Sequence, residues 1–254
     1  MNDYPERALV WADVETTGLD SHDELLLEVA CLVTDLDLNV LDDTGFQAKI
    51  LWPAERLARA RAQTNDFVRA MHDRTGLWAA CSDPSEALPV DQVDTALTAY
   101  VKRLVPEART ARMGGNSIRL DLNFADQYLP AFAAHLHYRM LDVSSWVGPA
   151  QWWAGVPEYP KARNHTAMAD IRESIAEMRY LRSRLGLDAS AAQILDLGTV
   201  RRRVVDALRS GSGALGDDAV DTVAETLAPL VTELALAARL AASREAAAAL
   251  EHGR

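Results

Sequence analysis

The 254-residue chain has only two cysteines, Cys31 and Cys81, at a spacing that matches neither a zinc site nor a thioredoxin-like motif. That excludes a disulfide-stapled secreted scaffold and makes a reducing compartment the natural expectation. Long hydrophobic runs are also missing. No window reaches eighteen apolar residues, and the opening MNDYPERALVWADVE is acidic where a secretory signal needs a basic start and an apolar stretch. A cytoplasmic protein with no membrane partner is expected. Basic clusters are the third absence: 26 Lys plus Arg stand against 37 Asp plus Glu, a formal net charge of −11, with no run of five or six cations. Affinity for a long polyanion comes largely from phosphate neutralisation and counterion release, so a protein that tracks long nucleic acid is disfavoured. A short anion held by a few local groups is not.

What is present is a core. Hydrophobic residues make up 49% of the chain and charged residues 25%, and a chain of this length buries about 70–75% of its unfolded surface without staples. At about 150 residues per domain the length gives roughly 1.7 domains, hence one domain with an appendage or two small ones. Arg7–Ala12 is an apolar strand that delivers Asp13 and Glu15 at its end. Leu25–Asp35 and Leu38–Ile50 read as two further strands of a meander. Pro53 opens a helical region ending at Gly76. Val90, Val93, Leu97, Val101 and Leu104 recur at helical spacing before Pro106 stops them. A short strand ending near Gly114-Gly115, a helix around Leu120–Tyr128 and a strand at Tyr138–Val143 follow. His165–Leu185 is again helical, with Gly186 as its C-cap. Beyond Leu185 the composition turns Ala-rich with no Phe, Tyr or Trp, and Val/Leu stripes on either side of SGSGALG read as an appended helical hairpin. The expectation is a mixed α/β sheet flanked by helices, with a catalytic domain over residues 5–185 and an Ala-rich helical extension over 186–254.

Three elements carry chemistry. Asp13 and Glu15, two apart on a strand, face the same side and can share cations, and the Thr16-Thr17-Gly18 turn follows at once. Two carboxylates that close repel unless a metal compensates them. Taken singly, such a pair is as often a solvated acidic strand end. Gly115-Asn116-Ser117-Ile118 leads to Asp121 at a helix start, a position an acid also occupies to complement the helix dipole. His165 precedes Asp170 by five residues, about 140° around a continuous helix, so both can face one site only if His165 lies at or before the helix start.

D-x-E-T-T-G-L, G-N-S-I-x-x-D and H-x-A-x-x-D, in this order, resemble the motifs of DEDD exonucleases of the His-containing subclass. VWADVETTGLD, LLLEVACLVTDLDLNVL, MHDRTGL, GGNSIRLD, HYRMLDVSSW and HTAMADIRESIAEMRYLR are similar to the oligoribonucleases, over about Arg7 to Leu185. The resemblance implies a ribonuclease H-like fold and 3′–5′ hydrolysis of very short RNA, especially dinucleotides, to 5′-mononucleotides. It implies that Asp13, Glu15, Asp121 and Asp170 hold two divalent cations, Mg²⁺ or Mn²⁺, which suit oxygen-only ligands. His165 would be the general base, since an imidazole titrates near neutrality. It further implies that Leu19 and Phe67 flank the bases with His72 nearby. Ser117, Arg139 and Ser144 would hold the 5′-phosphate, His137 and Tyr138 would line the same region, and part of this cap would come from the second subunit of a homodimer.

The chain departs from the common family pattern with Thr16 in place of Met, Ala169 in place of a second Asp, and Phe67 where some members have Trp. Two other readings stay open at this point: a broader proofreading or repair exonuclease on DNA or RNA, favoured by E-T-T-G, and a non-catalytic nucleotide- or partner-binding protein.

Overall fold

The computed structural model describes residues 8–161 and 166–187. Its centre is β1 (Ala8–Thr16), flanked by β2 (Leu26–Asp35) on one side and by β5 (Arg112–Gly115) on the other. β3 (Phe46–Ile50) and β4 (Ala87–Leu88) extend the β2 side, and β6 (Met140–Asp142) closes the other, giving the order β4-β3-β2-β1-β5-β6. The β1–β2–β3 meander is antiparallel, whereas β1–β5, β5–β6 and β3–β4 are parallel. This is the expected mixed sheet.

Helices pack on it: α1 (Ala54–Gln63), α2 (Asp66–Thr75), α3 (Leu77–Ala80), α4 (Val90–Leu104), α5 (Arg119–Tyr128), α6 (Pro130–His135), α7 (Ser144–Ala154) and α8 (Ala167–Arg184). β2 is buried along nearly its whole length, which is why its sequence is a continuous apolar run rather than an alternating one. Trp11 fills the space between the layers, donating its indole N–H to Thr34 Oγ1 at 2.9 Å. The Trp11 ring lies so close to β5 that a Cβ at Gly114 would sit 3.1 Å from it. The expected stripe of α4 points inward through Val93, Leu97 and Val101, and Asp94 on the same helix accepts the Ala131 and Phe132 N–H groups, each at 2.9 Å. Those donors are orphans at the start of α6, so Asp94 caps a neighbouring helix from inside the core.

Several boundaries differ from the sequence reading. The strand expected over Leu38–Ile50 begins only at Phe46. Residues before it form a turn in which Leu38 takes a positive φ of 67° and Asp35 accepts the Asn39 N–H at 2.8 Å. The helical region after Pro53 breaks at Thr64, because the Asn65 side chain caps a new helix by accepting the Val68 N–H at 2.9 Å. α6 and α7 are additional helices, and Pro149 sits inside the latter.

The chain divides into two compact units. The described residues of the first, 8–151, 157–161 and 166–179, hold the sheet and every candidate acid. In the second, Gly186 with φ 68° closes α8 as expected, its N–H reaching Ser183 O at 2.9 Å. The expected hairpin lies outside the described residues apart from its first two positions. No described helix is long and apolar enough to cross a membrane.

Candidate active site

The parallel ladder between β1 and β5 runs from Leu9↔Arg112 to Trp11↔Gly114 and stops there. The last residues of β1 therefore project past β5 and open a crevice beyond the C-terminal ends of two parallel strands, the usual location of ligands in such sheets. Asp13 and Glu15 stand on this projecting part, on one face. Asp121, in the first turn of α5, enters the crevice and accepts the Val14 N–H at 3.0 Å, a donor that β5 no longer satisfies. Asp170, in the first turn of α8, completes the group. Carboxylate oxygens of Asp13, Glu15 and Asp170 lie within 4.8 Å of one another.

The electrostatics follow from this crowding. Burial, then the charges of Asp121, Glu15, Asp170 and Glu28, hold the Asp13 carboxyl well above the usual carboxylate range. Glu15 is pushed up to about 8, by burial first and then by Glu28, Asp170 and Asp121. Asp121 is pushed up to about 7 by burial, with Asp142 adding, although the Val14 N–H favours its charged form. Carboxylates desolvated together in this way are an oxygen-only donor set that divalent cations would compensate. The site residues present fit such ions.

Glu28 is the member that sequence reasoning missed. It faces Glu15 across the β1–β2 ladder, is buried, and accepts the Gln47 amide at 2.8 Å. The signal was there: Glu28 is the one acid inside the apolar run of β2, and a buried acid within a strand needs a partner or a purpose. The amine of Lys49, paired with Glu28 in the β2–β3 register, goes instead to Glu86 at 2.9 Å. Glu15, Glu28, Lys49 and Thr166 line part of a cavity of about 180 Å³.

The turn after Glu15 is tied at each residue. Thr17 Oγ1 donates to the Glu24 carboxylate and accepts the Leu25 N–H at 2.9 Å, while the Thr64 hydroxyl shares its proton between Ala60 O at 2.8 Å and Thr17 O at 3.1 Å. Gly18 packs so tightly that a Cβ there would lie 2.6 Å from Glu24 Cδ. His72 Nε2 lies 2.9 Å from Thr16 O. A carbonyl only accepts, so this nitrogen carries the proton. His72 is buried, edge-on to Trp78 with ring centroids 5.5 Å apart, and burial lowers its pKa. It thus anchors the start of this turn, and Leu19 and Phe67 are 80% and 68% exposed.

The remaining candidates form two groups. Ser117, at a positive φ of 53°, directs its N–H to Asp142 Oδ1 at 3.1 Å and to Ser144 Oγ at 2.9 Å, and the two serine hydroxyls are 3.3 Å apart. His137 and Tyr138 stack with centroids 4.5 Å apart, and the Arg139 guanidinium lies 5.4 Å from the Tyr138 ring centroid. Tyr138 is 73% exposed. His165 lies outside the described residues. α8 begins at Ala167, which puts His165 before its start in the sequence, as required if it and Asp170 are to share a site.

Compared with known proteins, residues 10–178 match the family model described as Exonuclease. A probable oligoribonuclease of Schizosaccharomyces pombe is 36% identical over 179 residues, covering 70% of this chain and 68% of the relative. An oligoribonuclease of Leifsonia xyli is 40% identical, covering 68% and 82%. The human mitochondrial oligoribonuclease is 32% identical over 202 residues, covering 77% and 82%. Among solved structures, E. coli Exonuclease I bound to a dA16 oligonucleotide superposes with a TM-score of 0.51 at 13% identity, covering 77% of this chain and 44% of that one, a likeness of fold alone.

Proposed function

The chain belongs to the oligoribonuclease family within the DEDD exonucleases, and on that premise we propose a 3′–5′ exoribonuclease of short RNAs whose preferred substrates are dinucleotides. The observation that supports it is the meeting of Asp13, Glu15 and Asp170 within 4.8 Å at the end of β1, with Asp121 bonded to the strand between them. When bound there, two divalent cations, Mg²⁺ or Mn²⁺, would activate water and stabilise charge on the scissile phosphate. His165 takes the proton from the attacking water. The water oxygen bonds to phosphorus as the bond to the 3′-oxygen of the preceding nucleotide breaks, that oxygen takes up a proton to become the new 3′-hydroxyl, and a nucleoside 5′-monophosphate leaves. Leu19 and Phe67, both exposed, flank the bases. Ser117 and Ser144 receive the terminal 5′-phosphate with Arg139, whose guanidinium suits bidentate phosphate binding. His137 and Tyr138 line that region, part of it supplied by the second subunit of a homodimer. A few local donors and cations suffice, so the net negative charge of the chain is no obstacle to a short anion.

The same reading makes residues 5–185 the catalytic domain and 186–254 an appended extension, in a cytoplasmic protein. The buried, unpaired Cys31 and Cys81 are in keeping with a reducing compartment. The test is cleavage of a 5′-labelled dinucleotide and a seven-nucleotide RNA, each with Mg²⁺ or Mn²⁺. Faster turnover of the dinucleotide is expected. Equal or faster cleavage of the longer RNA would overturn the dinucleotide preference and favour the broader exonuclease. Light scattering reads the dimer.

A further inference from the structure

Behind Ser117 and Ser144 lies a chain of polar groups that no candidate role uses. Asn116 donates its side-chain amide to Ser174 Oγ at 3.0 Å and to Glu177 Oε2 at 2.8 Å, both on α8. Glu177 is 2% exposed, and the same oxygen accepts from Lys161 Nζ at 2.8 Å. A carboxylate held by an ammonium can only accept, so the amide of Asn116 has one permitted orientation: NH₂ towards Glu177 and Oδ1 towards Ser144. Ser144 Oγ lies 3.0 Å from Asn116 Oδ1 and must donate there, which commits its single proton. Its oxygen is then left to accept from the Ser117 N–H. Asp142 Oδ1 holds the two backbone N–H groups of Ser117 and Ser144 at 3.1 and 2.9 Å, fixing Ser117 in its left-handed conformation. In the 3.3 Å contact between the two hydroxyls Ser117 is therefore the donor, and its proton is the one that can leave Ser144 Oγ for an incoming acceptor.

We propose that Glu177, acting through Asn116, is a positioning residue that polarises the Ser144–Ser117 pair, so that Ser117 is the hydroxyl that donates to the terminal 5′-phosphate and Ser144 orients it. The inference rests on the reading of Ser117 and Ser144 as the 5′-phosphate cap, and divides the labour between two serines that the resemblance treats alike. It also ties phosphate capture to α8, the helix that carries Asp170. A terminal phosphate is thereby sensed by the element that supplies a metal ligand, which suits an enzyme that measures substrate length from the 5′ end.

The experiment compares KM for a dinucleotide with and without a 5′-phosphate, and takes the ratio of the two as the preference. Ser117→Ala should reduce the preference about tenfold, the loss of one hydrogen bond to a charged group. Glu177→Met, similar in size but unable to accept, should reduce it by a similar factor by releasing the Asn116 amide to flip. Glu177→Gln, which can still present an oxygen to Asn116 and Lys161, should restore it. If Glu177→Met does not fold, Ser174→Ala removes the second anchor of the same amide and should lower the preference several-fold. A preference lost in Ser117→Ala but unchanged in both Glu177→Met and Ser174→Ala would overturn the positioning role while leaving the cap intact. A preference unchanged in Ser117→Ala would overturn the cap and the inference with it. Equal losses for both substrates in Glu177→Met, without rescue by Gln, would reduce Glu177 to a structural residue and refute the proposal.

Discussion

Without divalent metal, the folded protein should lose stability as pH rises, the opposite of an ordinary salt-bridged carboxylate. Glu15 titrates at about 8 in the fold against its usual 4.5, because burial and the neighbouring Glu28, Asp170 and Asp121 disfavour its charge. A group that holds its proton more tightly when folded contributes stability that is complete below the unfolded pKa and disappears as pH rises through the folded one. Between pH 5 and pH 8 the two-state linkage for this one carboxyl amounts to a loss of roughly 3–4 kcal/mol. For a catalytic core of this size that is roughly 10 °C in Tm. Divalent cations compete with the proton for the same oxygens, so Mg²⁺ should stabilise the protein much more at pH 8 than at pH 5. Thermal denaturation followed by circular dichroism, in EDTA and in Mg²⁺ at pH 5, 6.5 and 8, reads both effects. Glu15→Gln should flatten the EDTA profile and shrink the Mg²⁺ effect. A metal-free Tm that stays level or climbs from pH 5 to pH 8, with the same slope in Glu15→Gln, would refute the assignment of this repulsion to the cluster.

Asp13→Asn should lower turnover on the order of a thousandfold or more with little change in fold, since the side chain keeps its volume while losing the charge that would hold a cation; single-turnover assays of a dinucleotide check this. Phe67→Ala should raise KM by up to about tenfold through lost stacking. Because that ring is exposed, the unfolding free energy from chemical denaturation should scarcely move, by about 0.5 kcal/mol at most. Asp94→Ala, which touches none of the proposed site residues through its hydrogen bonds, should cost about 2–4 kcal/mol by stranding the Ala131 and Phe132 N–H groups, measurable by urea unfolding with activity retained per folded molecule.

The sequence disclosed most where one rule acts alone. α4 matches its apolar stripe because Pro89 and Pro106 punctuate it and Val93, Leu97 and Val101 all turn inward. The Asp13/Glu15 pair was legible because strand alternation puts i and i+2 on one side. The turn between β2 and β3 was not, since Leu38 adopts a positive φ that its residue type does not announce and side chains of Asp35 and Asp42 close the loop. Glu28 looked like an incidental acid because its significance lies in a register with Glu15 that only pairing of the two strands creates. The bond between His72 and the Thr16 carbonyl was not legible either, because the two residues are 56 positions apart in the chain. Glu177 is a further case, because a lone Glu on a helix reads as solvated until Asn116 and Lys161 are seen to converge on it.

The early end of the β1–β5 ladder bears on how an inactive form of this protein should be made. Asp121 supplies the acceptor that β5 withholds from Val14, so an aspartate proposed to hold metal is also a rung of the central sheet. Truncating it to alanine leaves a buried N–H bare on the middle strand, at about 1–3 kcal/mol, and blurs a catalytic defect with a frayed scaffold. Asp121→Asn keeps an oxygen at that position and gives up only the charge. For trapping an uncleaved dinucleotide, the amide is the inert version of this molecule whose framework can still be taken as that of the active one.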